Sequence, residues 1–189
     1  MSIQETSKSP FYTHYYQRNT RRRLEHLASL GLKIQNKSVF EAGAGAGDLT
    51  DFFIDRGCQV VTSEGRKENL EILKGRYPNL EILDIDFESP PKSFNRRFEI
   101  VFCYGLLYHL ENPVTALNFF SSICSETLIL QTTVNYDKEK TITFEKERTD
   151  NHLHSISGVG CRPSRKWVFE ELSKLFKHCL LYTSDAADE

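Results

Sequence analysis

Val39-Phe40-Glu41-Ala42-Gly43-Ala44-Gly45-Ala46-Gly47-Asp48 is the stretch on which the reading of this chain turns. A short apolar run passes into an acid, glycines then stand at every second position, and a polar helix start follows. Glycine adopts tight-turn conformations and lets bare main chain approach a ligand. A helix start behind such a turn adds outward-facing N–H groups. The stretch therefore predicts a strand, a ligand-contacting turn and a helix. Dinucleotide-binding turns carry G-x-G-x-x-G, whereas the spacing here is G-x-G-x-G with Glu41 two residues before the first glycine.

Outward from that turn, strands alternate with helices. Leu24, Leu27 and Leu30 recur at helical spacing and predict an amphipathic helix over 15–32, ended by Gly31. Strands are predicted at 37–41, 59–63, 80–85, 98–104 and 127–134, and helices at 48–56, 66–77, 113–123 and 164–176. Pro113 opens the third of these helices and Ser164 caps the fourth. Residues 135–163 read as a polar insertion. The alternation predicts an α/β, Rossmann-like, doubly wound and mainly parallel sheet with helices on both faces.

In such a sheet, ligands bind beyond the carboxyl ends of the strands. The residues found there are Glu41 with Gly43, Gly45 and Gly47 after the first strand, and Glu64 after the second. Asp86 follows the third, with Asp84 as its substitute if that strand ends earlier. The fourth leads into Tyr104-Gly105-Leu106-Leu107-Tyr108-His109. The glycine-loop spacing and the ordered acids resemble the class I S-adenosylmethionine-dependent methyltransferases over residues 15–176. That family has a sixth strand and an antiparallel seventh; here the sixth falls where an unrelated tail begins and the seventh is missing. The resemblance implies S-adenosylmethionine as cofactor, with Glu41 near its amino group, Glu64 on the ribose, Asp86 at the adenine and Tyr104 beside the methionine part. A carboxylate in the glycine loop suits a ligand that carries an ammonium and a sulfonium but no phosphate.

Methyl transfer from a sulfonium asks the protein to position the nucleophile and, where needed, to remove its proton. His109 is the candidate base because it follows the fourth strand and histidine is the side chain suited to proton transfer near neutral pH; a structural or capping role is its alternative. Tyr108 is grouped with it as an orienting or packing residue. The run from Gly105 to Pro113 resembles the same segment in several methyltransferase families, including some acting on tRNA wobble uridine. Recognition of the acceptor is assigned to Tyr16 and Arg21, within an aromatic and basic segment that also holds Phe11, Tyr12, Tyr15, Arg18, Arg22 and Arg23. His152, His154 and Arg162 of the polar insertion complete the substrate set. The plain alternatives are a helix with a solvated basic face and a solvent loop. His152, His154 and Cys161 lack a fourth ligand at suitable spacing, so no metal is expected.

Composition bounds the remainder. A chain of 189 residues, 39% hydrophobic, is long enough for one domain with its own core. A net charge of −2 argues against nucleic-acid binding by bulk electrostatics. No apolar run is long enough for a membrane span, and the polar start, Met1 to Pro10, lacks the apolar core expected of a signal peptide. Five scattered cysteines without a C-x-x-C pair fit a reducing cytoplasm. The expected organisation is a lid and helix at 1–34, a methyltransferase domain at 35–178, and a non-native tail at 179–189. That tail, Cys179-Leu180-Leu181-Tyr182-Thr183-Ser184-Asp185-Ala186-Ala187-Asp188-Glu189, resembles a translated sequencing adaptor. The chain is accordingly expected to be a truncated metagenomic fragment lacking its last strands, with an unpaired sheet edge and poor solubility. Leu180 to Thr183 is apolar enough to fill the vacant strand position. The leading expectation is a methyltransferase acting on oxygen or nitrogen of a small molecule. The alternatives are an RNA methyltransferase using Arg21 to Arg23, a nicotinamide-binding oxidoreductase, and a non-catalytic binding domain of the same fold. Acceptor and oligomeric state stay open.

Overall fold

A computed structural model describes residues 9–181. Five strands, β1 (Ser38–Ala42), β2 (Gln59–Glu64), β3 (Glu81–Asp84), β4 (Phe98–Tyr104) and β5 (Cys124–Gln131), form one sheet in the order β3-β2-β1-β4-β5. Every pairing in it is parallel. The order reverses between β1 and β4, which opens a crevice at their carboxyl ends.

Alternation along the strands divides the core into two layers. Phe40, Val61, Val101 and Cys103 face one way, onto α4 (Pro113–Ile123) and α5 (Arg165–Leu175), meeting Leu117, Phe120, Ile123 and Trp167. Phenylalanines fill this layer: the Phe40 ring lies 5.3 Å from Phe98 and 6.2 Å from Phe119. Val39, Val60, Ile100 and Phe102 face the other way, onto α1 (His14–Ser29) and α2 (Asp51–Ile54), through Leu27, Phe52 and Phe53. Glu41 and Thr62 belong by period to this second layer, so the sheet itself carries the acid inward. Between β2 and β3 runs α3 (Lys67–Arg76). Ser164 caps α5 as expected, its Oγ accepting from the Trp167 N–H at 3.1 Å.

Several local readings are corrected. The helix expected over 48–56 shrinks to the four residues of α2. Around it, Thr50, Phe52 and Phe53 donate to Gly47, Leu49 and Thr50 respectively, closing three-residue turns. Thr50 is drawn inward by its bond to Glu41, so the chain turns tightly before a regular helix can start. The fifth strand, expected over 127–134, runs instead from Cys124 to Gln131, because α4 passes directly into β5.

The polar insertion contains an antiparallel hairpin, β6 (Ile142–Lys146) and β7 (Val159–Pro163), in which Glu145 opposes Gly160. β6 is largely exposed, so it lacks the apolar alternation by which a half-buried strand is recognised. Among the described residues β5 has no strand on its outer side. Leu180 and Leu181 form no strand, and residues 182–189 of the expected tail lie outside the described residues, as do residues 1–8 of the expected lid. No helix among the described residues is long and apolar enough to cross a membrane.

Candidate functional site

The crevice above β1 and β4 opens into a cleft of about 1360 Å³, larger than the roughly 300–1,000 Å³ of a site for one small molecule. The glycine loop forms its floor. Gly43, Gly45 and Gly47 all have positive φ, at 67°, 59° and 80°. Gly43 and Gly45 line the cleft, and a Cβ on Gly45 would stand 3.0 Å from the Phe11 ring.

Gly47 is corrected. It faces α3, where a Cβ would meet the Tyr77 ring at 2.5 Å and Leu73 at 2.7 Å. Its carbonyl oxygen accepts from the Tyr77 hydroxyl at 2.9 Å. Gly47→Ala is expected to cost about 2–4 kcal/mol of stability through backbone strain and overpacking, read as a lower Tm in thermal unfolding.

Glu64 closes the loop at the end of β2. One carboxylate oxygen accepts from the Gly45 N–H at 2.8 Å, and the other from Gly65 and Arg66 N–H at 3.0 and 2.8 Å. Burial raises its carboxyl above the ordinary value, and the backbone donors oppose that rise. Beside it, Glu41 is 2% exposed. Its Oε2 accepts from the hydroxyls of Thr50 at 2.7 Å and Thr62 at 3.1 Å. Burial pushes this carboxyl up to about 7, against the pull of the two hydroxyls.

Asp86 follows β3 and lines the cleft, yet it is exposed, with Oδ1 accepting from the Glu88 N–H at 2.9 Å in a turn of its own. Tyr104 ends β4, stacks on Phe102 at 4.9 Å, and has its hydroxyl 3.1 Å from His26 Nδ1.

On α1 the residues facing the cleft include Tyr16, Asn19, Arg23, His26 and, just past its end, Leu30, at steps of three and four. Tyr16 is half-buried against Phe11, and burial and the Asp48 charge raise its hydroxyl pKa well above normal. Arg21 is corrected: it is exposed, absent from the cleft, and among the described residues donates to the Gln17 carbonyl. Five residues after Tyr16, it lies about 140° round the helix. Arg23 takes the place expected of Arg21, with its guanidinium against Gly105, 3.2 Å from where a Cβ would stand. Helical spacing from Tyr16 was the signal that identifies Arg23.

The hairpin supplies the opposite wall. His109 ends a 3₁₀ turn, Leu107–His109, and its Nδ1 is 2.6 Å from Oε2 of Glu147, a residue no sequence motif marked. His154 stacks on His109 with centroids 6.2 Å apart, and the Tyr108 ring lies 4.2 Å from His109. Arg162 Nη1 donates to the carbonyls of Tyr108 and Cys161 at 3.2 and 2.8 Å, while Nη2 pairs with Glu145 at 3.2 Å. Arg66 donates to the carbonyls of Thr149, His154 and Ser155, and Asn69 to that of His152. These bonds fold the insertion back over the start of α3. His152, His154, Arg162, Tyr108 and His109 therefore share one cleft with the glycine loop.

Four residues of this lining each carry one buried polar atom with no partner among the described residues: Asp48 Oδ2, Asn69 Oδ1, Gln131 Oε1 and His152 Nδ1. The loop offers acids and backbone N–H groups, and α2 is too short to present a helix terminus to a pyrophosphate. The donor set fits a cofactor with hydroxyls, an amino group and positive charge better than a dinucleotide.

Comparison with known proteins agrees. The model of a family described as a methyltransferase domain matches residues 12–183. An uncharacterized methyltransferase of Alkaliphilus oremlandii (strain OhILAs) is 30% identical over 142 residues, covering 69% of this chain and 64% of that protein. The chain thus spans less than two thirds of that relative's length. The N-terminal domain of EvdMO1, crystallised in the presence of S-adenosylhomocysteine and D-fucose, has a TM-score of 0.67 at 20% identity, covering 83% of this chain and 72% of that one. The glycopeptide N-methyltransferase MtfA complexed with S-adenosylhomocysteine has a TM-score of 0.59 at 14% identity, covering 81% and 77%. At these identities the solved structures speak for the fold alone.

Proposed function

Because this chain belongs to the class I S-adenosylmethionine-dependent methyltransferases, we propose that it methylates an oxygen or nitrogen atom of a small molecule. The observation that carries this reading is one cleft walled by two kinds of chemistry. On one side lie the Glu64-clamped glycine loop and Glu41; on the other lie His109, Tyr108, His152, His154 and Arg162. Its volume leaves room for an acceptor beside the cofactor. The glycopeptide and small-molecule names among the fold relatives are compatible with such an acceptor.

Glu64 holds the cofactor ribose, with Gly43 and Gly45 allowing close main-chain approach. Glu41 meets the amino group, Asp86 the adenine edge, and Tyr104 and Arg23 the methionine end, where the guanidinium suits a carboxylate. Gly47 serves the loop through its packing on Tyr77. The bound cofactor supplies a methyl group on a positively charged sulfur. His109 accepts the proton lost by the acceptor, and Tyr108 packs beside it. Tyr16, His152, His154 and Arg162 face the acceptor, and Arg21 has no part. Of the expected lid, residues 9–34 cover a domain at 35–178. Arg21 points away from the cleft while Arg22 and Arg23 line it, so the three arginines do not form the single surface patch that the RNA reading needs.

Calorimetric titration with S-adenosylhomocysteine, with NAD in parallel, tests the cofactor half of this reading. Saturable binding of the first and none of the second is expected. Binding of NAD alone, or of neither by protein shown to be folded, would sink the proposal.

A further inference from the structure

Glu147 lies just beyond β6, outside the glycine loop and outside every motif of the sequence. We propose that it is a positioning residue that fixes His109 as the proton acceptor for methyl transfer. The inference rests on the methyltransferase reading of the cleft.

The contact is built from several directions. Glu147 Oε2 takes His109 Nδ1 at 2.6 Å and the Ser155 N–H at 2.6 Å. Its Oε1 is 3.7 Å from Arg162 Nη2. The Glu147 N–H donates to the Gly158 carbonyl at 2.8 Å, fixing the main chain that carries the acid. On the facing strand, a Cβ on Gly160 would run into the Glu147 carboxylate and stand 2.8 Å from the Tyr108 carbonyl oxygen. Gly160 has ordinary φ, so its missing side chain answers a need for space. The hairpin leaves a gap through which the acid reaches His109.

The charge state follows from the partners. Burial raises the Glu147 carboxyl, but the hydrogen bonds from His109 and Ser155 and the nearby His109 and His154 charges outweigh it, leaving it below the ordinary value. An ionised carboxylate only accepts. When His109 is neutral its proton must therefore sit on Nδ1, which leaves the Nε2 lone pair free. The side chain of His109 is 17% exposed and lines the cleft, and Nε2 has no protein partner among the described residues. In the transfer, the acceptor's proton passes to Nε2 and the acceptor's electron pair bonds the methyl carbon. The carbon–sulfur pair stays with sulfur, giving a neutral thioether. The imidazolium that results lies against the Glu147 carboxylate, with Arg162 and the His154 ring beside the pair.

The tautomer of His109 tests this without knowledge of the acceptor. Uniformly ¹⁵N-labelled full-length protein is saturated with S-adenosylhomocysteine at about pH 8, above the ordinary histidine range, and imidazole nitrogens are assigned with His109→Gln. The wild type is expected to carry the proton on Nδ1. Glu147→Gln, whose amide can also donate, is expected to shift the ratio toward Nε2–H by roughly tenfold, with cofactor affinity within about twofold of wild type. A proton on Nε2 in the wild type overturns the proposal. So does an unchanged ratio in Glu147→Gln accompanied by a lower Tm, the result for a purely structural staple. Should Glu147→Gln fail to fold, Gly160→Ala displaces the carboxylate while keeping both partners and must shift the ratio the same way. Failure of the wild type to bind S-adenosylhomocysteine strikes the cofactor reading instead and is seen separately.

Discussion

Glu64→Ala is expected to weaken S-adenosylhomocysteine binding by roughly 100-fold, about 2.7 kcal/mol. The substitution does more than delete a contact to ligand. It removes the acceptor for three backbone N–H groups, those of Gly45, Gly65 and Arg66. Hydrogen bonds to a charged group are worth about 1.5–3 kcal/mol each, and buried donors left unmade cost more than a neutral pair lost. Gly45, freed from its anchor at positive φ, would no longer hold the floor of the cleft in one conformation. The measurement is calorimetric titration of wild type and variant, with circular dichroism to show that both are folded. Glu64→Gln separates the two roles. Its amide oxygen still accepts from backbone, so an intermediate loss is expected. An Ala variant that binds as well as wild type would remove Glu64 from the cofactor site.

Glu41→Gln is expected to stabilise the folded chain above about pH 7 by up to roughly 3 kcal/mol, and to weaken cofactor binding there. Buried Glu41 titrates at about 7 instead of 4.5. Between those values the folded state holds a proton that the unfolded state has released. Stability therefore falls as pH rises through this window, and above 7 the full penalty of a buried carboxylate is carried. A glutamine in its place keeps an oxygen for the Thr50 and Thr62 hydroxyls and carries no charge, so its denaturant midpoint should be flat across the window. Binding an ammonium next to Glu41 favours the ionised form. Wild-type affinity for S-adenosylhomocysteine should then rise with pH toward neutrality and binding should release a proton. Titration in buffers of different ionisation enthalpy reads that proton directly. A wild-type affinity independent of pH, or a variant that binds equally well at about pH 8, would place the cofactor's amino group away from Glu41.

These two acids show why some of the site was legible. Both stand at fixed offsets from a strand end, and the period of a strand settles which side they occupy without reference to the remainder of the chain. The parallel sheet was readable for the same reason, since buried strands such as 98–104 announce themselves as apolar runs between turn residues. Arg21 was misplaced because it was weighed by its position near the entry to the domain, not by the helical step. The helical step from Tyr16 selects Arg23 once α1 is known to lie along the cleft. Gly47 was assigned to ligand by pattern, while the space it leaves is taken by Tyr77 and Leu73 from a helix starting about twenty residues later. The β6–β7 hairpin escaped notice because β6 is exposed and β7, though largely buried, reads Val159-Gly160-Cys161-Arg162-Pro163, with no apolar alternation to mark a strand.

By itself, then, the sequence determined the alternating α/β architecture, the glycine loop and the acids that follow successive strands, since each is encoded by local spacing along a few residues. Only the tertiary structure decided which arginine faces the cleft, which glycine answers packing, and that Glu147 reaches His109 across a sequence separation of 38 residues. Those outcomes depend on how a hairpin and two helices close over the sheet, and contacts between distant segments leave no periodic trace in the residues that make them.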